Sequence, residues 1–193
     1  MKKLPSYQEF LIMEAKQGDK VIIFPGRFQP VHLGHIAAFE KASKEFGLPV
    51  IPIQVISKTE KSPFPQKLLE DLGREVTREF SFIEDFVQYP QDRKSVIPQM
   101  VKYLRELGYN PVGMASGSDR EKSYIPQLNY LNSEKSDVPI SEPFELKVVD
   151  VRIKNGPSGT KVRNAIIDRD IDQFEKMTPK SIHKYWYLLT KYL

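Results

Sequence analysis

The chain has 193 residues, enough for one domain with a full apolar core, and 40% of them are hydrophobic, the share of an ordinary globular protein. Its net charge is a mild +4 and no long lysine/arginine cluster stands out, so the balance suits an anionic substrate without arguing for nucleic acid. There is no cysteine, which excludes disulfides and thiolate–zinc sites, and no stretch is long enough to span a membrane.

Residues 1–19 differ in pattern from the rest of the chain. Tyr7 to Ala15 has weak helical spacing through Phe10, Leu11 and Met13, and Gly18-Asp19 breaks it; the uninterrupted apolar middle of a secretory signal is missing. From Lys20 onward strand and helix patterns alternate. Val21 to Phe24 predicts a strand, and Leu33 to Phe46 a helix with Ile36, Phe39 and Phe46 on its buried face and Gly47 as its C-terminal glycine. Val50 to Ile56 is a β-branched run, its Pro52 pointing to an edge or bulged position. Ser57 to Pro65 is the longest structureless piece near the candidate site that follows the first strand, and a candidate lid; after it Gln66 to Phe80 has helical spacing through Leu69, Val76 and Phe80. Phe82 to Tyr89 fits a helix end or a strand equally. Val96 to Leu107 predicts a helix stopped by Gly108, and Pro111 to Ala115 a short buried strand. No element is assigned between Arg120 and the β-rich run Glu145 to Arg152. Helices follow near 161–168 and 171–177, and Thr178-Pro179 reads as the N-cap and first turn of a terminal helix. In it, Ile182, Trp186 and Leu189 form a stripe that suits either the core or a dimer contact, and His183 lies on a charged face with no assigned function. Alternating strands and helices imply βαβ units, hence an α/β fold with a Rossmann-like open parallel sheet, helices on both faces and a helical C-terminus.

Three turns carry chemistry. Gly26-Arg27-Phe28-Gln29-Pro30-Val31-His32-Leu33-Gly34-His35 sits between a predicted strand and a predicted helix, so it gathers backbone N–H groups, an arginine and two histidines at the positive end of a helix, where a polyphosphate fits. Gly34 leaves space for close approach, and two histidines three apart at a helix start can face one phosphate. Taken singly, either histidine is an ordinary loop or surface residue; two in one strand–turn–helix context are more specific. Ser158-Gly159-Thr160-Lys161-Val162-Arg163 offers hydroxyls, backbone donors and two cations at another helix start, although Ser-Gly-Thr alone is also a plain capped loop. Gly117-Ser118-Asp119-Arg120 follows a buried strand at its carboxyl end, where Asp119 either accepts hydrogen bonds from a ribose or acceptor or caps the next turn.

The first turn resembles the HxGH signature of the nucleotidylyltransferase superfamily, and Ser158 to Arg163 is similar in order and position to that superfamily's late Ser/Thr-rich turn. The resemblance covers residues 20 to about 174. It implies transfer of a nucleoside monophosphate from an NTP, ATP first, to a phosphate-bearing acceptor with release of pyrophosphate. Implied catalytic residues are His32, His35 and Arg163; implied nucleotide- and phosphate-binding residues are Gly26, Arg27, Phe28, Gly34, Ser158, Gly159, Thr160 and Lys161. The lead-in Gly26 to Pro30 is most like the archaeal-type nicotinamide mononucleotide adenylyltransferases, which implies nicotinamide mononucleotide as acceptor, with Lys58, Phe64, Ser118, Asp119 and Arg120 as ribose or acceptor candidates. Phe64 either stacks on a ring or packs onto the core. The Ser57–Phe64 loop departs in detail from those enzymes' pattern, while Gly117 to Arg120, Ser158 to Arg163, Phe174 and Pro179 are similar to phage nucleotidylyltransferases whose acceptors no motif fixes. Mg²⁺ is the implied cofactor, held by substrate phosphates rather than by protein ligands.

Ser6 to Ala15 resembles the capsid-targeting leader of internal head proteins in tailed phages, with Ile12-Met13-Glu14 before Ala15 as the processing site; an amphipathic or frayed N-terminus is the equal alternative. The expected organisation is therefore a leader over 1–19 and a nucleotidylyltransferase domain over 20–193. The expected location is the cytoplasm or, through the leader, a phage virion interior with delivery into a host. A homo-oligomer stays open. Two further readings remain: a cytidylyltransferase, or transfer to a sugar phosphate, protein or RNA end; and an inactive protein packaged in a phage head.

Overall fold

The computed structural model describes residues 18–55, 63–90, 92–94, 96–138, 142–149 and 156–193. Of the expected leader all but residues 18 and 19 lies outside them, Glu14 and Ala15 included, as do Lys58 and most of the candidate lid.

Among the described residues, β1 (Lys20–Gly26), β2 (Val50–Val55), β3 (Val87–Tyr89), β4 (Asn110–Ser116) and β5 (Glu145–Val148) form one parallel sheet in the order β3-β2-β1-β4-β5. Helices α1 (Leu33–Phe46), α2 (Gln66–Glu79), α3 (Ile97–Glu106), α4 (Glu121–Leu131), α5 (Gly159–Ile167), α6 (Ile171–Met177) and α7 (Trp186–Leu189) accompany it, with a 3₁₀ helix at Lys180–Tyr185. Among them no helix is long and apolar enough to cross a membrane.

Period-two alternation along β1 builds both layers. Ile22 and Phe24 pack with Phe39 of α1, Leu69 and Leu72 of α2, Val162 of α5 and Trp186 of α7; Val21 and Ile23 pack with Ile97 and Leu104 of α3 and Leu128 and Leu131 of α4. Ile182, Trp186 and Leu189 are all buried in the first cluster, so the C-terminal stripe is core. Gly47 closes α1 in the left-handed region at φ 66°, its N–H donating to Ser43.

The strand order turns around between β1 and β4: the chain leaves β1 for β2 on one side and later returns to β4 on the other. Open α/β sheets leave a crevice at that switch point, beside the strands' carboxyl ends.

Four expectations change. β2 is an interior strand, paired with β1 and β3. Pro52 is tolerated there because β3 pairs only from Ile53 onward, after one bridge at Val50–Ile83, and strand alternation turns the proline nitrogen into that gap. Phe82 to Tyr89 resolves into that bridge and the edge strand β3. Helix α4 has no counterpart among the elements expected from sequence; it carries Pro126 inside and buries only Leu128 and Leu131, a thin apolar signal. The terminal helix is a 3₁₀ turn followed by one short α turn, and Thr178 does not cap it: its hydroxyl donates back to the Phe174 carbonyl at 2.7 Å.

Candidate active site

The crevice holds a cavity of about 420 Å³ between three segments: the turn after β1 (Gly26, Arg27, Phe28, Gln29) with His35, the turn after β4 (Ser116, Gly117, Asp119, Arg120), and the start of α5 (Ser158, Gly159, Thr160, Arg163). All three sequence motifs thus meet on one space, although more than a hundred residues separate the first from the last.

The turn after β1 is tightly tied. Phe28 has φ 42°, uncommon for a residue with a side chain. Its ring is 3% exposed and packs edge-on against His35, Phe39 and Phe86 at 4.9, 5.3 and 5.4 Å. A Cβ on Gly26 would lie 2.5 Å from that ring, so glycine at 26 is what admits Phe28. Gln54, from β2, donates to the carbonyls of Arg27 and Phe28 at 2.6 and 3.1 Å. The next carbonyl, of Gln29, accepts Nη1 of Arg163 at 2.7 Å, which joins α5 to the same turn.

The two histidines divide their roles. His32 occupies the N-cap of α1 and His35 the third helical position. His35 accepts the His32 N–H on Nδ1 at 3.3 Å, so a neutral His35 ring carries its proton on Nε2 and is a donor there. The rings stack at 3.6 Å with 21° between planes. His35 lines the cavity, whereas His32 is 6% exposed, is not among the lining residues, and has a buried Nδ1 with no partner. Burial first, then the Arg163 charge, lowers the His32 pKa from 6.5 to about 4; burial and His32 push His35 well below the usual imidazole range. Both rings are therefore neutral near pH 7.

Ser158 caps α5, its side chain accepting the Lys161 N–H at 3.3 Å. Arg163 reaches Thr160 Oγ1 at 3.4 Å with its other terminal nitrogen. Burial first, then the neighbouring Arg27 charge, lowers the Arg163 pKa. Asp119 and Arg120 form an exposed ion pair at 3.5 Å. Arg27, Arg120 and Arg163 against Asp119 leave the described lining net positive, as a polyanion requires.

Several expected residues sit elsewhere. Lys161 turns Nζ to the Gly156 carbonyl at 3.2 Å, and neither it nor Ser118 is among the lining residues. Phe64 is 2% exposed within the core cluster, so of its two readings packing holds. Gly34 is not among the lining residues; a Cβ there would meet the His32 ring at 3.1 Å and the Pro157 carbonyl at 3.2 Å, so its smallness lets the α1 terminus close against His32 and the chain entering α5. Sequence reasoning missed Gln54 and the carbonyl of Gln29. The signal for Gln54 was present, a lone amide in an otherwise apolar strand.

A family model described as cytidylyltransferase-like matches residues 23–165. No protein of curated function matches the chain in sequence. Among solved structures, the chain is similar to a putative nicotinate-nucleotide adenylyltransferase from Vibrio parahaemolyticus (TM-score 0.57, 15% identity, covering 88% of this chain and 99% of that one). It is also similar to nicotinic acid mononucleotide adenylyltransferase from Plasmodium falciparum, solved with APC and with NaAD (TM-score 0.58, 15% identity, 91% and 98% covered in each). At that identity the likeness is one of fold.

Proposed function

We propose that this chain, which belongs to the cytidylyltransferase-like family of nucleotidylyltransferases, transfers the adenylyl group of ATP to the phosphate of a pyridine mononucleotide, nicotinamide mononucleotide first. The observation that carries the reading is the convergence of His35, Arg163, Arg27 and the α5 N-terminus on one net-positive cavity at the switch point of the sheet.

In that reaction an acceptor phosphate oxygen attacks the α-phosphorus in line. A P–O bond forms there, the bond from the α-phosphorus to its bridging oxygen breaks, and the electron pair leaves on pyrophosphate. No protein nucleophile is needed, only donors placed where charge builds. His35 donates from Nε2 to an α-phosphate oxygen, and His32 holds its ring by stacking. Arg163, Ser158, Thr160 and the first N–H groups of α5 hold the β- and γ-phosphates, and Arg27 meets the acceptor phosphate. Among the described residues no cluster of His, Asp and Glu suits a metal ion, and Asp119 is the one carboxylate lining the cavity. In this reading Mg²⁺ would be held by the triphosphate oxygens and waters rather than by protein side chains, and would supply charge neutralisation for the leaving pyrophosphate.

The family description favours a second reading, in which CTP replaces ATP. Product analysis by mass spectrometry separates them: Mg–ATP plus nicotinamide mononucleotide should yield the dinucleotide and pyrophosphate. Dinucleotide only from the nicotinic acid form would move the acceptor, product only with CTP would move the donor, and no product with either nucleotide would overturn the reading.

A further inference from the structure

The turn after β1 presents three successive carbonyls, of Arg27, Phe28 and Gln29. Arg163 takes the last, and the first two go to the side-chain amide of Gln54. Gln54 is 1% exposed, in register with Gly26 on β1 and with Gln88 on β3. Its own carbonyl accepts Nε2 of Gln88 at 3.0 Å. A row of amides therefore runs from β3 to β2 and ends on the turn after β1. A buried primary amide is costly unless satisfied, so hydrophobic packing alone does not account for one amid Ile51, Ile53 and Val55.

We propose that Gln54, steadied by Gln88, is the positioning residue of the phosphate-handling turn. The two peptide groups it grips are trans, so their N–H bonds, those of Phe28 and Gln29, oppose the gripped carbonyls. Holding both carbonyls turns those donors away from the sheet and toward the cavity that Phe28 and Gln29 line. It also holds Phe28 at its φ of 42°, with the ring against His35. Gln54 itself is not among the lining residues, and it acts through the turn.

The proposal rests on the nucleotidyl-transfer reading for its kinetic consequence and on geometry alone for its spectroscopic one. Q54L removes the two donors at similar volume. Its kcat for pyrophosphate release should fall on the order of 10- to 100-fold, the cost of a small misplacement, while KM for Mg–ATP moves less and near-UV circular dichroism is kept. Q88L should lose less, and the double variant no more than Q54L, because Gln88 acts through Gln54. Independently of turnover, the carbonyl ¹³C resonances of Arg27 and Phe28 should shift in Q54L. Should Q54L fail to fold, Q88L carries both readouts. A folded variant with wild-type kcat, or carbonyl resonances that stay in place, would overturn the proposal. A wild type without turnover whose Arg27 and Phe28 carbonyl resonances still shift on Q54L substitution would overturn the functional reading and leave the clamp intact.

Discussion

The turns after β1 and β4 line the same cavity and are built on opposite plans. In the first, Phe28, Gln29 and His32 are buried, successive carbonyls are gripped by Gln54 and Arg163, and the histidine rings stack. In the second, the side chains of Asp119 and Arg120 are 76% and 59% exposed and form an ion pair with each other. Donors that must meet developing charge gain by being fixed before the substrate arrives. Groups that meet the variable end of a substrate gain by staying adaptable. On the proposed function, the fixed turn would serve the reacting phosphates and the exposed one the remainder of the substrate.

The largest expected effect lies on the fixed side. R163M removes both the cation and the bond to Gln29, and steady-state kinetics should show kcat/KM down on the order of 100- to 1000-fold. R163K should recover little of it, because a lysine cannot hold the Gln29 carbonyl and Thr160 with a rigid fork. Full activity in R163K would mean that charge alone matters and would weaken the picture of a built turn.

Acid sensitivity comes next. His32 titrates at about 4 when folded against 6.5 otherwise. Below pH 6.5 the unfolded chain binds a proton that folded His32 refuses, so stability should fall as pH drops toward 4 and be fully present above 6.5. The share belonging to His32 is on the order of 3 kcal/mol. Denaturant unfolding from pH 7 to 4 should show a shallower loss in H32Q than in wild type, and parallel curves would place the ring in water.

Replacing Gly26 by alanine drives a methyl into the Phe28 ring. Overpacking of this kind costs about 1–3 kcal/mol, read as a lowered thermal midpoint. The smallest stability effect belongs to the exposed turn. D119N and R120A should leave the stability within about 0.5 kcal/mol of wild type, while KM for one substrate rises. A large stability loss there would erase the contrast between the turns.

What sequence alone revealed divides in the same way. All strands but β3 were legible because continuous apolar or β-branched runs mark them, as in β1 and β2, which are buried on both faces, and α1 because its cap glycine and apolar spacing agree. Helix α4 was hidden by Pro126 and by burying only two side chains, and the 3₁₀ turn after Pro179 by local geometry that composition does not encode. Both phosphate motifs were readable as strings. The division of labour between His32 and His35 was not, because ring orientation is set by stacking and by one backbone bond. Gln54 could have been flagged as polar in an apolar strand, but its grip on a turn 26 residues earlier is a tertiary fact.

The decisive measurement is pyrophosphate release from Mg–ATP and nicotinamide mononucleotide by wild type, H35A and, as control, H183A, whose ring lies beside Phe174 and Thr178 away from the cavity lining. Release should require the mononucleotide, fall on the order of 100-fold or more in H35A and persist in H183A. Undiminished release by a folded H35A would contradict the role assigned to that ring.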